Sequence, residues 1–476
     1  MAHQLTLGRA LPGGLAAPAW AARHVVVLVV LGLTLATFLW PSAPTYDPWA
    51  WIIWGREILH LDLSTVQGPS WKPLPVLLTT PFSAFGGLAP DLWLFVARAG
   101  AIAGVAMAYR LGRRLGGGAA GAAAAAAYAL APWTVFNGAV GNSEGLLVAL
   151  TLGAVDRHLE GRLRPAYLCA LGAAMLRPEV WPFVGLYALW LIWREPGLRP
   201  LVVAGLASLP VLWLLPELWG SGDLLRAAHR ARTPRADSAA FADHPVQVVL
   251  DQFRVMLTPA VWVGLGLLVL TALARRAPGR RELAVAGALL AGSVLWVAEV
   301  AVMTNDGFSG NARYLILPAA LACLLAGVGL GWAVRAVAGA PRRVPAAAIA
   351  VAAAVAFGVP SVHDLPPVRD SVRYEAKLTE GLAAAVDQAG GAKRLLACGN
   401  PYAGPFQVPS VAWQLHVHTV RVQLTPKRPA VVFRARPNAT ARARPSVKRL
   451  GGEAAVRTFA NTGGWRIVGA CRGTGG

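Results

Sequence analysis

The sequence predicts an all-α polytopic membrane protein of about eleven transmembrane helices, followed by a small α+β domain. Three observations carry this. Only 14% of the 476 residues are charged, against about 25% in ordinary soluble domains, and the mean hydropathy is +0.51. Apolar runs recur along residues 25–362. From about residue 363 the composition turns polar, with Pro and short strand-like runs. The formal net charge of +21 comes without Lys-rich tracts or aromatic RNA-binding signatures, so no nucleic-acid partner is expected. With 56% hydrophobic residues the chain is not a disordered one.

The first apolar run, Val25 to Trp40, ends at Pro41. A cleavable signal peptide has a similarly short apolar core, and either reading places residue 41 onward outside. Residues 74–88 are apolar but broken by Pro75 and Pro81, which reads as an interfacial or re-entrant segment. Further runs fall near 92–109, 119–136, 145–155, 165–176, 180–193, 200–218, 256–274, 283–303, 314–334 and 344–362. With the N-terminus cytoplasmic, the inner segments hold seventeen Lys and Arg and the outer loops eight, in line with the positive-inside rule. An odd number of spans puts the C-terminal region outside.

The sequence thus divides into a transmembrane module, 1–362, and an extracytoplasmic domain, 363–476. The second part carries seventeen Lys and Arg against six acids. Val417 to Leu424 and Ala430 to Arg434 are its strand-like runs. Cys169 and Cys323 lie in apolar runs and read as small buried hydrophobes. Cys398 and Cys471 are the cysteines of the polar region. Outside the membrane they can form a disulfide closing a long loop, with two free thiols as the alternative. Asn438-Ala439-Thr440 fits a glycosylation sequon.

Charge near hydrocarbon is costly, so the charged residues away from the cytoplasmic loops are informative, and they gather at the outer ends of the spans. Asp47 stands just past the first span in Tyr46-Asp47-Pro48-Trp49. Pro48 suits the start of a helix, so Asp47 also reads as an N-cap. The helix that follows, with Trp51, Trp54 and Ile58, reads as an amphipathic helix lying in the interface. Glu57, Asp62 and Trp71-Lys72-Pro73 come next, then Asn142-Ser143-Glu144 heading a span and Arg177-Pro178-Glu179 at an outer turn. The loop 219–250 carries Arg226, Arg230, Arg232 and Arg235 and is long enough to act as a lid. Gly310 to Pro318 holds Arg313 and Tyr314 at an outer boundary, against the charge bias.

In this order and at this common level, the segments resemble the GT-C superfamily of polytopic glycosyltransferases. They look most like the polyprenyl-phosphate-mannose mannosyltransferase-like and aminoarabinose-transferase-like branch. The resemblance covers about 25–335 and rests on Asp47, on Trp71 to Pro75, on Ser143-Glu144 with Leu176 to Glu179, and on the Gly-x-x-Arg-Tyr-Leu-x-Leu-Pro pattern of Gly310 to Pro318. Many members carry two adjacent acids in the first loop; here Pro48 follows Asp47. No cofactor is therefore expected, with dependence on a divalent metal left open.

The resemblance implies a GT-C type inverting glycosyltransferase of a bacterial plasma membrane, hexosyl or pentosyl in type. It would move a sugar from a polyprenyl-phosphate-linked donor to a hydroxyl of an envelope glycan, lipid or protein on the outer side, among membrane lipids. It implies Asp47 as the base that takes the acceptor proton. Arg313 and Lys72, then Arg230 and Arg232, would hold the donor phosphate. Glu57, Trp71, Glu144, Arg177, Glu179 and Tyr314 are the candidate substrate-binding residues. Two rival readings are a transporter or lipid flippase, for which Glu299 is the nearest approach to a mid-membrane charge, and a non-catalytic envelope scaffold.

Overall fold

A computed structural model describes residues 19–337, 346–436, 442–462 and 464–471. The sequon at 438–440 lies outside the described residues. The membrane module runs through α1 (Ala19–Ala36), α2 (Tyr46–Leu59), α3 (Pro73–Phe82), α4 (Ala89–Gly116), α5 (Gly118–Ala129), α6 (Pro132–Ala139), α7 (Glu144–Leu159) and α8 (Leu163–Ala174). It continues through α9 (Trp181–Arg194), α10 (Arg199–Ser221), α11 (Arg226–Ala231), α12 (Pro245–Met256), α13 (Pro259–Leu273), α14 (Arg280–Asn305), α15 (Ile316–Val337) and α16 (Ala346–Val362).

The apolar runs of the sequence fall on these helices, with 119–136 divided between α5 and α6, but length separates them. Among the described residues four stretches are long and apolar enough to cross a membrane: Pro73–Gly116, Pro196–Ser221, Arg280–Asn305 and Ala312–Val337. Bent pairs raise this to seven: α5 with α6, α12 with α13, and α16 with the helix after it. The count of eleven is not reproduced, because α5 and α8 have 12 residues and α9 has 14, short of the roughly 20 that a bilayer core asks of a straight helix.

α15 is the axis of the module. Nearly all of it is buried, and it packs on α4, α5, α13 and α14. The small residues of its Gly-x-Gly-x-Gly stretch allow this. A Cβ on Gly329 would sit 2.1 Å from the Gly264 carbonyl oxygen, so the helix backbones touch directly, as small-residue interfaces permit.

The C-terminal part begins with α17 (Leu365–Gln388), followed by α18 (Gly391–Cys398) and α19 (Val408–Gln414). Its sheet holds β1 (Asn400–Ala403), β2 (Ala430–Ala435), β3 (Arg457–Thr462) and β4 (Trp465–Ala470) in the order β1-β2-β4-β3. β1 and β2 are parallel and the other neighbours antiparallel. Cys398 and Cys471 are joined in a disulfide. The run from Val417 to Leu424 is not a strand: it folds into a 3-10 turn at Thr419–Arg421 and touches the sheet through one bridge, Tyr402 to Gln423.

This domain sits on α2, so the helix read as amphipathic and interfacial is packed in protein on the face carrying Trp51 and Trp54. Residues 47 to 55 of α2 are all buried. Ile53 belongs to the core of the C-terminal domain. On another side, Gly55 lies against the Thr79 backbone of α3, 2.6 Å from where its Cβ would be. The apolar residues that suggested a lipid-facing side are spent on protein contacts.

Candidate active site

Five chain segments place charged side chains at one point, and local backbone rules explain each. Lys72 and Arg177 each precede a proline, which disfavours the helical region. Both are extended (φ −139° and −149°), so their side chains leave α3 and the Pro178–Val180 turn and reach inward. Glu144 is the first residue of α7. Gly310 has φ +56°, a left-handed turn that glycine takes without cost. The Asn311 side chain then accepts the Arg313 backbone N–H at 3.1 Å and caps the short turn of Ala312–Leu315. This fixes Arg313 and Tyr314 at the N-terminal end of α15.

Asp47 is the second residue of α2, and its side chain does not cap the helix. Its carboxylate instead accepts from Arg313 Nη2. Arg313 Nε stands 3.9 Å from Glu144 Oε1. Glu144 Oε1 accepts from Arg177 Nη2 at 2.6 Å, and Arg177 Nη1 donates to Glu179 at 3.2 Å. Lys72 Nζ donates to Ser143 Oγ at 3.2 Å and lies 5.1 Å from the Trp51 ring centre. The Arg177 guanidinium covers the Tyr314 ring at 4.5 Å, and Tyr314's carbonyl is held by Trp296 Nε1 at 2.8 Å.

The cluster thus balances three acids, Asp47, Glu144 and Glu179, against three bases, Lys72, Arg177 and Arg313. Burial grades across it. The Glu144 side chain is 1% exposed and Arg177 4%, whereas Arg313 is 23% exposed. Asp47 and Arg313 are therefore the edge of the network that meets the open space. Burial pushes the Lys72 ammonium down to about 8; the Arg177 charge acts the same way and Glu144 opposes it. Glu144 Oε2, Glu179 Oε2 and Arg313 Nε lie buried without a hydrogen-bond partner among the described residues. Of these, Arg313 Nε is a donor that a ligand oxygen can satisfy, while the two carboxylate oxygens are acceptors that suit a hydroxyl or a water. Among the described residues no group of three or more His, Cys, Asp or Glu is placed to hold a metal ion.

Asp47 and Arg313 border a cavity of about 650 Å³. Its floor is the membrane module, through Tyr46, Trp49, Asn137, Asn142 and Asn311 as well. Its roof is the C-terminal part, through Glu375, Phe406, Gln407 and Trp465. A second hollow of about 780 Å³, almost wholly apolar, runs between α1, α4, α6 and α17, and Val368 borders both.

No family model matches the chain, and no curated protein does. Solved structures do. ArnT from Cupriavidus metallidurans in the apo state is 14% identical, with a TM-score of 0.55 over 95% of this chain and 98% of that one. ArnT bound to undecaprenyl phosphate is 15% identical, with the same TM-score, over 97% of this chain and 100% of that one. The chain has the fold of ArnT. The GT-C resemblance read from the sequence is thus matched at the level of fold across nearly the whole chain.

Within this ArnT-like frame, Asp47, Lys72, Glu144, Arg177, Glu179, Arg313 and Tyr314 meet, and four other candidates do not. Glu57 points to the C-terminal domain: it accepts from the Ser64 N–H at 3.0 Å and pairs with His418 at 2.7 Å. Trp71 is buried against Trp54, with its Nε1 donating to the Leu212 carbonyl, so its ring is closed to a substrate. Arg232 pairs with Asp306 at 2.7 Å. Arg230 donates to the Gly68 carbonyl at 3.2 Å and to Thr233; its charge bears on Tyr46, one residue from Asp47. The loop 219–250 is docked rather than open. Arg226 donates to the carbonyls of Pro69 and Gly68 and faces Glu217, and Ser238 donates to the Ser309 carbonyl.

No sequence signal marks Glu375, Gln407 or His418 as functional. They come from residues more than 300 positions after Asp47, and no local motif marks them. His418 lies between Glu57 and Asp62, at 2.7 and 3.1 Å. Beside it Arg56 donates to the Val417 carbonyl and stacks on Trp413. Together these contacts fasten the roof to the helix that carries Asp47.

Proposed function

We propose that the chain is a polyprenyl-phospho-sugar-dependent glycosyltransferase of a bacterial plasma membrane, acting on the outer side with inversion. The single observation that carries this reading is the Asp47–Arg313 pair at the edge of a cavity, in a fold shared with an ArnT structure bound to undecaprenyl phosphate. Residues 1–362 form the catalytic module, which crosses the membrane several times and has a cytoplasmic N-terminus. Residues 363–476 form an extracytoplasmic domain. The acceptor is an envelope glycan, lipid or protein, and the sugar a hexose or pentose.

The donor keeps its chain in the bilayer and its phosphate among Arg313 and Lys72. A guanidinium binds phosphate oxygens in a forked geometry, and an ammonium adds a point charge. Binding draws Arg313 from Asp47 and leaves the carboxylate free to accept a proton. The acceptor O–H gives its proton to Asp47, and its oxygen bonds to the anomeric carbon. The bond from that carbon to the phosphate oxygen breaks, and its electron pair leaves with the polyprenyl phosphate. Arg313 and Lys72 face the charge that develops on that oxygen. Glu144 and Glu179 hold Arg177 and back the guanidinium of Arg313.

The test is transfer of radiolabel from a polyprenyl-phospho-sugar in membranes containing the protein. Label appearing in an envelope acceptor, and lost in Asp47→Asn, supports the reading. Equal transfer by both forms overturns it, and counter-flow of labelled substrate without covalent transfer favours a transporter.

A further inference from the structure

The cavity over Asp47 has two chemically different walls. The floor presents Arg313, and behind it Lys72 and Arg177, a place for phosphate. The roof presents one acid, Glu375, together with Gln407 and Ser410, and no cation among the described lining residues. Glu375 makes no ion pair among the described residues, and it is half-buried. Aromatic rings border it from both sides: Trp49 and Trp133 from the module, Phe406 and Trp465 from the C-terminal part; Trp49 and Trp465 are buried, so Trp133 and Phe406 offer the accessible ring surface. Phe406 is about half exposed. It packs edge-on against Tyr46 at 6.1 Å and lies under the Arg235 guanidinium at 4.6 Å, so its position is set by both halves of the chain.

Flat apolar rings interleaved with carboxylate, amide and hydroxyl groups match a polyol that has apolar C–H faces and many hydroxyls. Glu375 disfavours an anionic group at the roof, because two like charges would then face each other with no cation among the described lining residues of that wall. A cavity of about 650 Å³ falls in the range that holds a drug-sized ligand, about 300–1,000 Å³, which leaves room for a sugar on each side of the reacting bond.

We propose that the roof is the acceptor subsite and that it takes an uncharged carbohydrate, with Glu375 and Gln407 accepting and donating hydrogen bonds to its hydroxyls and Phe406 stacking on its ring. This rests on the glycosyl-transfer reading and names its acceptor class. The C-terminal domain then supplies half of the site, and its fastening to α2 through Arg56 and His418, and to the Gln67 carbonyl of the following loop through Thr419, sets the height of the acceptor above Asp47.

The experiment uses the full chain in lipid nanodiscs and two probes: undecaprenyl phosphate for the floor, and a panel of neutral hexose and pentose oligosaccharides for the roof. Both are titrated by ligand-observed NMR against wild type, Glu375→Gln, Phe406→Ala and Arg313→Ala. The expected result is that at least one neutral oligosaccharide binds and that its affinity falls about tenfold in Glu375→Gln and in Phe406→Ala, the size of one lost hydrogen bond to a charged group or one lost ring contact. Undecaprenyl phosphate affinity should stay within about twofold in both roof variants and fall in Arg313→Ala. The proposal is overturned if no neutral oligosaccharide binds, if roof variants leave its affinity unchanged, or if they weaken both probes equally. Wild type failing to bind undecaprenyl phosphate while still binding a neutral oligosaccharide would sink the donor reading and leave the roof as a carbohydrate site.

Discussion

Removing the charge of Glu144 tests whether the buried network is one energetic unit. Glu144 is 1% exposed and accepts from Arg177 at 2.6 Å, with Arg313 at 3.9 Å. Breaking a buried pair by deleting one partner costs about 3–5 kcal/mol, because the other charge stays desolvated. Glu144→Gln leaves Arg177 with Glu179 at 3.2 Å and Arg313 with Asp47, so we expect the low end, about 3 kcal/mol. Arg177→Met strips Glu179 of its only ion-pair partner among the described residues and leaves Glu144 with Arg313 at 3.9 Å, so the high end, about 5 kcal/mol, is expected. In the double variant Glu179 stays unpaired, but the Glu144–Arg177 contact is lost once rather than counted in each single, so the loss should fall short of the summed singles by about 2–3 kcal/mol. The assay is reversible unfolding in mixed micelles titrated with SDS, followed by tryptophan fluorescence. Additivity within about 0.5 kcal/mol would refute the coupled network.

Three other outcomes follow from the same geometry. Arg313→Ala should weaken undecaprenyl phosphate binding by about 10- to 100-fold, the worth of charge-assisted bonds, with Arg313→Lys intermediate; unchanged affinity would remove Arg313 from the phosphate site. Lys72 is pushed down to about 8, so its positive charge is present below that pH and lost as pH rises through it. Undecaprenyl phosphate affinity should therefore decline between about pH 7 and 10, and Lys72→Arg, always charged, should abolish the decline; a bound phosphate raises the Lys72 value in turn. Replacing Cys398 and Cys471 by Ala opens a bond that spans 73 residues and should cost about 2–5 kcal/mol, read as earlier unfolding of the C-terminal domain; no change on reduction would contradict its structural role.

The helices were legible because apolar length is written locally, although breaks such as that between α5 and α6 were not. The charge cluster at the helix ends was legible for a related reason: charge is so rare in this chain that its position is informative. What the sequence hid is what arises between distant segments. Tyr46-Asp47-Pro48 reads as a capped interfacial helix until residues 406–419 are laid over it, and then Glu57 turns to His418 and Ile53 enters another core. The arginine count behind the orientation hid a similar fact. Arg110, Arg114 and Arg157 converge on the buried Asp156, so part of that inner charge is neutralised within the protein. The short helices α5, α8 and α9 show the limit of counting spans by hydropathy alone, since their ends are set by Gly, Pro and packing rather than by bilayer thickness.

The central claim is that Asp47 acts as the base beside a phosphate held by Arg313. Its most direct test is purified protein in nanodiscs, with labelled polyprenyl-phospho-sugar, comparing Asp47→Asn with wild type for donor binding and for transfer in the same samples. The account predicts that the variant binds undecaprenyl phosphate at least as tightly, since Arg313 no longer has a carboxylate competing for it, while transfer falls about 10²- to 10⁴-fold. Equal transfer, or a loss of donor binding that matches the loss of transfer, would contradict it.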